Sequence, residues 1–141
     1  MSRQTRVAAL AAAFLTTLSA YAAGTPSPPN AEAYIIWPPD GAVITGGKLW
    51  VRMGLRNMGV CPKGVDFPNC GHHHLIIDGD LPPGGEPIPS DRNHLHFGAG
   101  ETEARIELSP GRHTLQMLLG DKDHVPHDPP VHSRKVTITV R

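Results

Sequence analysis

Four stretches of this chain alternate apolar and polar residues with a period of two, a rhythm that fits half-buried strands and not amphipathic helices. In Lys48–Arg56, Leu49, Val51, Met53 and Leu55 fall on one face, with Lys48, Trp50, Arg52 and Arg56 on the other. Glu101–Leu108 sets Thr102, Ala104, Ile106 and Leu108 against Glu101, Glu103, Arg105 and Glu107. Leu115, Met117 and Leu119 share a face, as do Val136, Ile138 and Val140. Tyr34–Trp37 adds a short strand, stopped by the turn Pro38-Pro39-Asp40-Gly41. The 15 glycines and 15 prolines lie between the patterned segments, where they punctuate turns. Six or seven short, turn-separated strands predict an all-β domain, an immunoglobulin-like antiparallel β-sandwich. The apolar sets then face one interior, because a one-residue slip would expose each of them.

The N-terminus reads as a leader. Arg3 and Arg6 precede an apolar run from Val7 to Leu18, and Ala20-Tyr21-Ala22 offers a small-x-small cleavage site. The run is shorter than the roughly 20 residues of a membrane span. The predicted organisation is a signal peptide over 1–22, a proline-rich linker over 23–33 and a sandwich over 34–141, in a periplasmic or secreted protein. Lys and Arg total 13, and so do Asp and Glu; losing Arg3 and Arg6 leaves a net charge of −2. A nearly neutral chain without basic clusters argues against nucleic acid as a partner, and no span is expected after leader removal. Cys61 and Cys70 would form a disulfide in an oxidising compartment. Soft metal ligation is the alternative for that pair.

Nine histidines carry the chemistry. In Gly71-His72-His73-His74-Leu75-Ile76-Ile77-Asp78, strand geometry places His72 and His74 on one face with Ile76, and His73 on the other with Leu75 and Ile77. Two residues along a strand is about 6.5 Å, close enough for two imidazoles to lean onto one ion. His94-Leu95-His96 repeats the spacing, and His124-Val125-Pro126-His127 follows in a proline-bearing loop. Imidazole suits zinc and copper, so His72, His74, His94, His96, His124 and His127 are candidate ligands. Asp78, Asp121, Asp123 and Asp128 could orient ring N–H groups. The alternatives are a hydrogen-bonding network, outward polar residues at His94 and His96, and an exposed loop or lid at His124 and His127. His113, just after Pro110-Gly111, is either a ligand or a corner residue bonded back to the preceding turn. Gly98-Ala99-Gly100 lacks the third glycine and the setting of a dinucleotide fingerprint, and no G-x-S-x-G elbow is present.

Taken together, Met58-Gly59-Val60, the triple-histidine run, His94-Leu95-His96-Phe97-Gly98, Gly111-Arg112-His113-Thr114-Leu115-Gln116 and His124-Val125-Pro126-His127-Asp128-Pro129-Pro130-Val131 with Ser133 resemble the DUF4399 family of exported bacterial proteins. The resemblance runs from Met58 to Val140 and implies an exported domain without supplying an activity. A weaker likeness is to copper/zinc superoxide dismutase, another sandwich with a His-x-His strand; its remaining ligand and arginine pattern is not matched, so its activity is not carried over. Three readings follow. The first is a β-sandwich that binds copper or zinc for binding, delivery or storage. The second is a metal-free interaction or adhesion module, its partner another periplasmic protein. The third is a small metalloenzyme, which needs an open coordination position.

Overall fold

A computed structural model describes residues 24–141, and the leader expected over 1–22 lies outside them. The strands are β1 (Glu32–Trp37), β2 (Val43–Ile44), β3 (Lys48–Arg56), β4 (Gly59–Val60), β5 (Cys70–Ile77), β6 (His94–His96), β7 (Glu103–Glu107), β8 (Gly111–Gly120) and β9 (Val136–Val140). One sheet runs β1-β3-β7, and the other runs β2-β9-β8-β5-β4 with β6 also paired to β5. Sequence periodicity finds the long strands and misses the shortest. β4 leaves no mark in the sequence, because two residues are too few to show alternation.

The fold is the expected immunoglobulin-like sandwich, with two departures from all-antiparallel pairing. β2 runs parallel to β9 and β4 parallel to β5, each through two residue pairs. For β2 the cause is a change of sheet. β1 pairs with β3, then the Pro38–Gly41 turn carries the chain across to β9. That turn is pinned by Gly41 N–H donating to Thr137 O (2.7 Å) and Thr137 N–H donating to Asp40 Oδ1 (2.8 Å). β1 thus belongs to one sheet and β2, just after the turn, to the other.

The interior follows the predicted parity. Leu49, Val51, Met53, Ile106, Leu115, Met117, Leu119, Val136 and Ile138 join one buried cluster, with Leu55 and Leu108 packed partly buried against it. Val140 is also buried. His73 shares this inner face: its register partner is Leu119, and Leu75 and Ile77 oppose Met117 and Leu115. Both its ring nitrogens are buried without a hydrogen-bond partner, and burial pushes its pKa down to about 4. His73 is a neutral core residue.

β5 is buried on both faces from Gly71 to Ile77. Its outer face is roofed by two loops. From the Asp80–Asp91 loop, Ile88 and Leu81 pack on Ile76 and Leu118 in a second apolar cluster. The 121–134 loop is tied to the first by Ile88 N–H donating to His124 O (2.7 Å). The segment read as an extended linker is extended but docked. Pro26 bridges to Asp128, Ser27 N–H donates to Asp128 O, and Asp128 N–H donates to Thr25 O, both at 3.0 Å.

Candidate metal centre

Four imidazoles meet under this roof. His72 and His74 project from the outer face of β5, and His96 lies opposite His74 in the β5–β6 register. His124 arrives from the 121–134 loop, its backbone in the left-handed region (φ 68°). One ligand atom from each of the four lies within 4.8 Å of those of the other three. Ring centroids are 4.8 Å apart for His72 and His74, 5.0 Å for His74 and His96, and 4.0 Å for His96 and His124. His96 and His124 also share a hydrogen bond, Nε2 to Nε2 at 2.6 Å, so one ring donates and the other accepts.

Two glycines make room for the rings. A Cβ on Gly120 would stand 2.7 Å from His74 Cε1, and one on Gly98 would run into the His96 ring. Any larger residue at either position would displace an imidazole.

The quartet is electrically neutral near pH 7. Burial, then the neighbouring His124 and His96, push His72 down to about 4 against the pull of Asp121. Burial together with His72, His96 and His124 takes His74 to about 2. His96 is lowered by burial and then by the Lys63 ammonium, which outweighs Glu101. His124 is lowered by burial, His96 and Lys63, against Asp121. Neutral imidazoles offer a lone pair, which is the form that binds a metal. Both ring nitrogens of His72 and of His74 are buried with no hydrogen-bond partner. An unpaired buried polar atom costs about 1–3 kcal/mol, so the protein folds around groups whose polar capacity is left unspent. The donor set fits a transition metal: nitrogen only, convergent and neutral, with ligand atoms within 4.8 Å of one another; bonds of about 2.0–2.1 Å need the widest spacings to close and the His96–His124 hydrogen bond to give way.

Two candidates fall outside the quartet. His94 has the strand parity of His96, but its register partner is Ile76, and its Nδ1 faces Asp91 Oδ1 at 2.9 Å. His127 is buried beside Gly71; its Nε2–H donates to Cys70 O at 3.3 Å and its Nδ1 is unpartnered. His113 is the corner residue. Its Nε2–H donates to Ser109 O (2.8 Å) and its Nδ1 meets Asp78 Oδ2 (2.7 Å). The Asp78 bond raises its pKa, with the Ser109 carbonyl adding to it against burial.

The four aspartates do not orient the quartet directly: among the described residues none accepts a hydrogen bond from its rings. Asp78 holds His113, and Asp123 holds Lys122 (2.9 Å). Asp121 instead builds the loop that carries His124. Its Oδ1 accepts from Asp123 and Val125 N–H (2.9 and 3.0 Å), and its Oδ2 from Thr25 N–H and Oγ1–H (3.0 and 2.8 Å). The fitness of Asp121, Thr25, Gly98 and Gly120 for the site is invisible in sequence, because each acts through a long-range contact.

Cys61 and Cys70 form the predicted disulfide, Cα to Cα 5.7 Å. The loop it closes leans on the rim of the site, with Lys63 N–H donating to Gly98 O (2.9 Å) and Gly64 N–H to Lys122 O (3.1 Å). Beside His124 opens a cleft of about 360 Å³, lined also by Lys63, Gly64, Pro87, Lys122 and Asp123. Among the described residues no helix is long and apolar enough to cross a membrane.

Among solved structures, the chain is similar to fibronectin(III)-like modules of Clostridium thermocellum CbhA, at 13% identity and TM-score 0.44, covering 77% of this chain and 95% of that one. It is similar also to the PKD domain of human KIAA0319, at 9% identity and TM-score 0.44, covering 89% and 91%. Neither likeness bears on function, and no curated protein matches the sequence. A family model does match, over residues 51–141, a span that takes in all four imidazoles and both loops of the roof: the chain belongs to the family described as a domain of unknown function, DUF4399.

Proposed function

We propose that His72, His74, His96 and His124 bind a copper or zinc ion, and that the protein binds, delivers or stores that metal outside the cytoplasm. The observation that carries this reading is that the ring nitrogens of His72 and His74 are buried and unpartnered, and that one from each ring lies within 4.8 Å of a nitrogen of His96 and of His124. A hydrogen-bonding network would have paired them; a metal satisfies one nitrogen of each ring and offsets the cost of their burial. Export draws on the leader pattern of the sequence and on the disulfide, which persists in oxidising compartments. The role is holding the ion rather than turnover, since four side chains of the protein itself supply the nitrogen ligands.

The test is calorimetric titration with copper and zinc of protein purified without an affinity tag, paired with its metal content. One ion per chain, bound by the wild type and lost in His96→Gln/His124→Gln, is the expected result. Equal binding by the two proteins would remove the site. The second reading, a metal-free interaction module, draws on Trp37 and Trp50, each about half exposed on the far sheet. It would be favoured by absence of metal from the protein as isolated and after titration.

A further inference from the structure

The quartet is lopsided. His72 and His74 are fully buried, whereas His96 and His124 are only half-buried and stand towards solvent. The cleft of about 360 Å³ reaches His124 on that side, with Lys63 and Lys122 in its walls. Lys122 is engaged by Asp123 at 2.9 Å. Lys63 is not: among the described residues, no carboxylate stands within salt-bridge distance of it. Its stem lies beside Gly98, where an added Cβ would come 3.3 Å from Lys63 Cδ, and the same Cβ would strike the His96 ring. Lys63 is held there by its own backbone bond to Gly98 and by the disulfide loop.

A cation beside a cation site is repulsive unless something negative stands between them. The four protein ligands are neutral, so a divalent ion would bring two positive charges that no ligand offsets, and uncompensated buried charge is costly. The nearby carboxylates stay charged but none is among the ligand atoms. Glu101 accepts from Ala99 N–H (3.0 Å), and both oxygens of Asp121 are occupied by the loop and Thr25.

We infer that a small anion enters the cleft beside His124 and coordinates the bound metal as a further ligand, with the Lys63 ammonium as its second anchor. The inference rests on the metal reading above. It assigns Lys63 to anion binding and gives the disulfide loop a purpose beyond stability, that of holding this ammonium at the rim.

Azide is a suitable probe, because its charge-transfer absorption on copper(II) reports direct coordination. Copper-loaded protein is titrated with azide, then with bicarbonate as competitor, for the wild type, Lys63→Gln and Lys48→Gln. Lys48 lies on the far sheet, paired with Glu107, and controls for net charge. The expected result is a saturable azide band in the wild type, displaced by bicarbonate. In Lys63→Gln azide affinity falls about tenfold, the scale of one hydrogen bond to a charged group, while copper affinity and melting temperature hold. Lys48→Gln should match the wild type. A quartet that binds copper but gives no azide band overturns the inference and leaves the metal site standing; so does an azide affinity equal in wild type and Lys63→Gln. Failure of copper to bind overturns this inference, and failure of zinc as well sinks the metal reading.

Discussion

The sandwich has two outer faces, and they have gone opposite ways. On the β1-β3-β7 sheet, Trp50 is 51% exposed and Trp37 46%, and the charged residues form cross-strand pairs: Arg56 with Glu32 (3.0 Å), Arg52 with Glu103 (3.5 Å) and Lys48 with Glu107 (3.9 Å). Arg56 also lies over the Tyr34 ring at 4.4 Å. Such exposed pairs are worth about 0–1 kcal/mol each. On the other sheet the outward positions of β5 carry His72, His74 and Ile76, and two loops cover them. On both faces the outward positions fall at every second residue of their strands. The difference is that one meets water and the other meets its own chain, so polar residues serve solubility on the first and converge on the second.

The comparison is broken most severely at the roofed face. His96→Gln/His124→Gln should abolish the rise in melting temperature that excess metal gives, whereas His94→Gln, held by Asp91 outside the quartet, should keep it; thermal melts with and without metal decide. A His94 variant as defective as the quartet variant would redraw the site.

Acid comes next. The pKa values of His72, His73 and His74 lie at about 4, 4 and 2, below the ordinary 6.5. The unfolded chain therefore binds more protons than the folded one between 6.5 and those values, and stability falls as pH falls through that window. At about pH 5.5 each of the three should cost about 1.4 kcal/mol. His113 acts oppositely: its raised pKa gives stability that is complete below 6.5 and lost as pH rises through its folded value. Urea midpoints of metal-free protein at pH 7.5 and 5.5 measure the balance. A midpoint unchanged or higher in acid would refute neutral burial of the triple.

Packing sharpens the contrast further. Leu115→Ala, in the shared interior, should cost about 2–5 kcal/mol, while Trp50→Ala on the open face should stay within about 0.5 kcal/mol; chemical denaturation compares them. On the roofed face the smallest loss belongs to Thr25→Val, which removes one hydrogen bond to Asp121. It should cost about 1 kcal/mol and weaken metal binding several-fold by loosening the His124 loop. Affinity equal to wild type would show that Asp121 holds the loop unaided.

The layers of the fold were legible in sequence because a period of two survives in any strand with one face in the core, as in Lys48–Arg56. The site was legible only in part. His72, His74 and His96 could be gathered from parity and spacing, since β5 and β6 are neighbours that need only a register. His124 could not be told from His127, three positions along the same loop, because loop direction is set by Asp121 and by a left-handed residue rather than by a period. His94 looked equivalent to His96 for the converse reason: parity gives the face and not the distance along it. Lys63 gave no signal at all, being a single charge in a loop whose course depends on the disulfide and on Gly98.

Asp121 and Thr25 are 96 positions apart, and the Asp128–Thr25 and Ser27–Asp128 bonds bind the same two ends of the described chain together. The roof over the imidazoles is therefore fastened by segments made early and late in synthesis. A nascent chain lacking residues past 120 has β5 but neither His124 nor the loop that Thr25 clasps. On the proposed reading, capture of an ion by all four rings waits until the chain past His124 has been made and the roof has closed, and metal occupancy would report that closure.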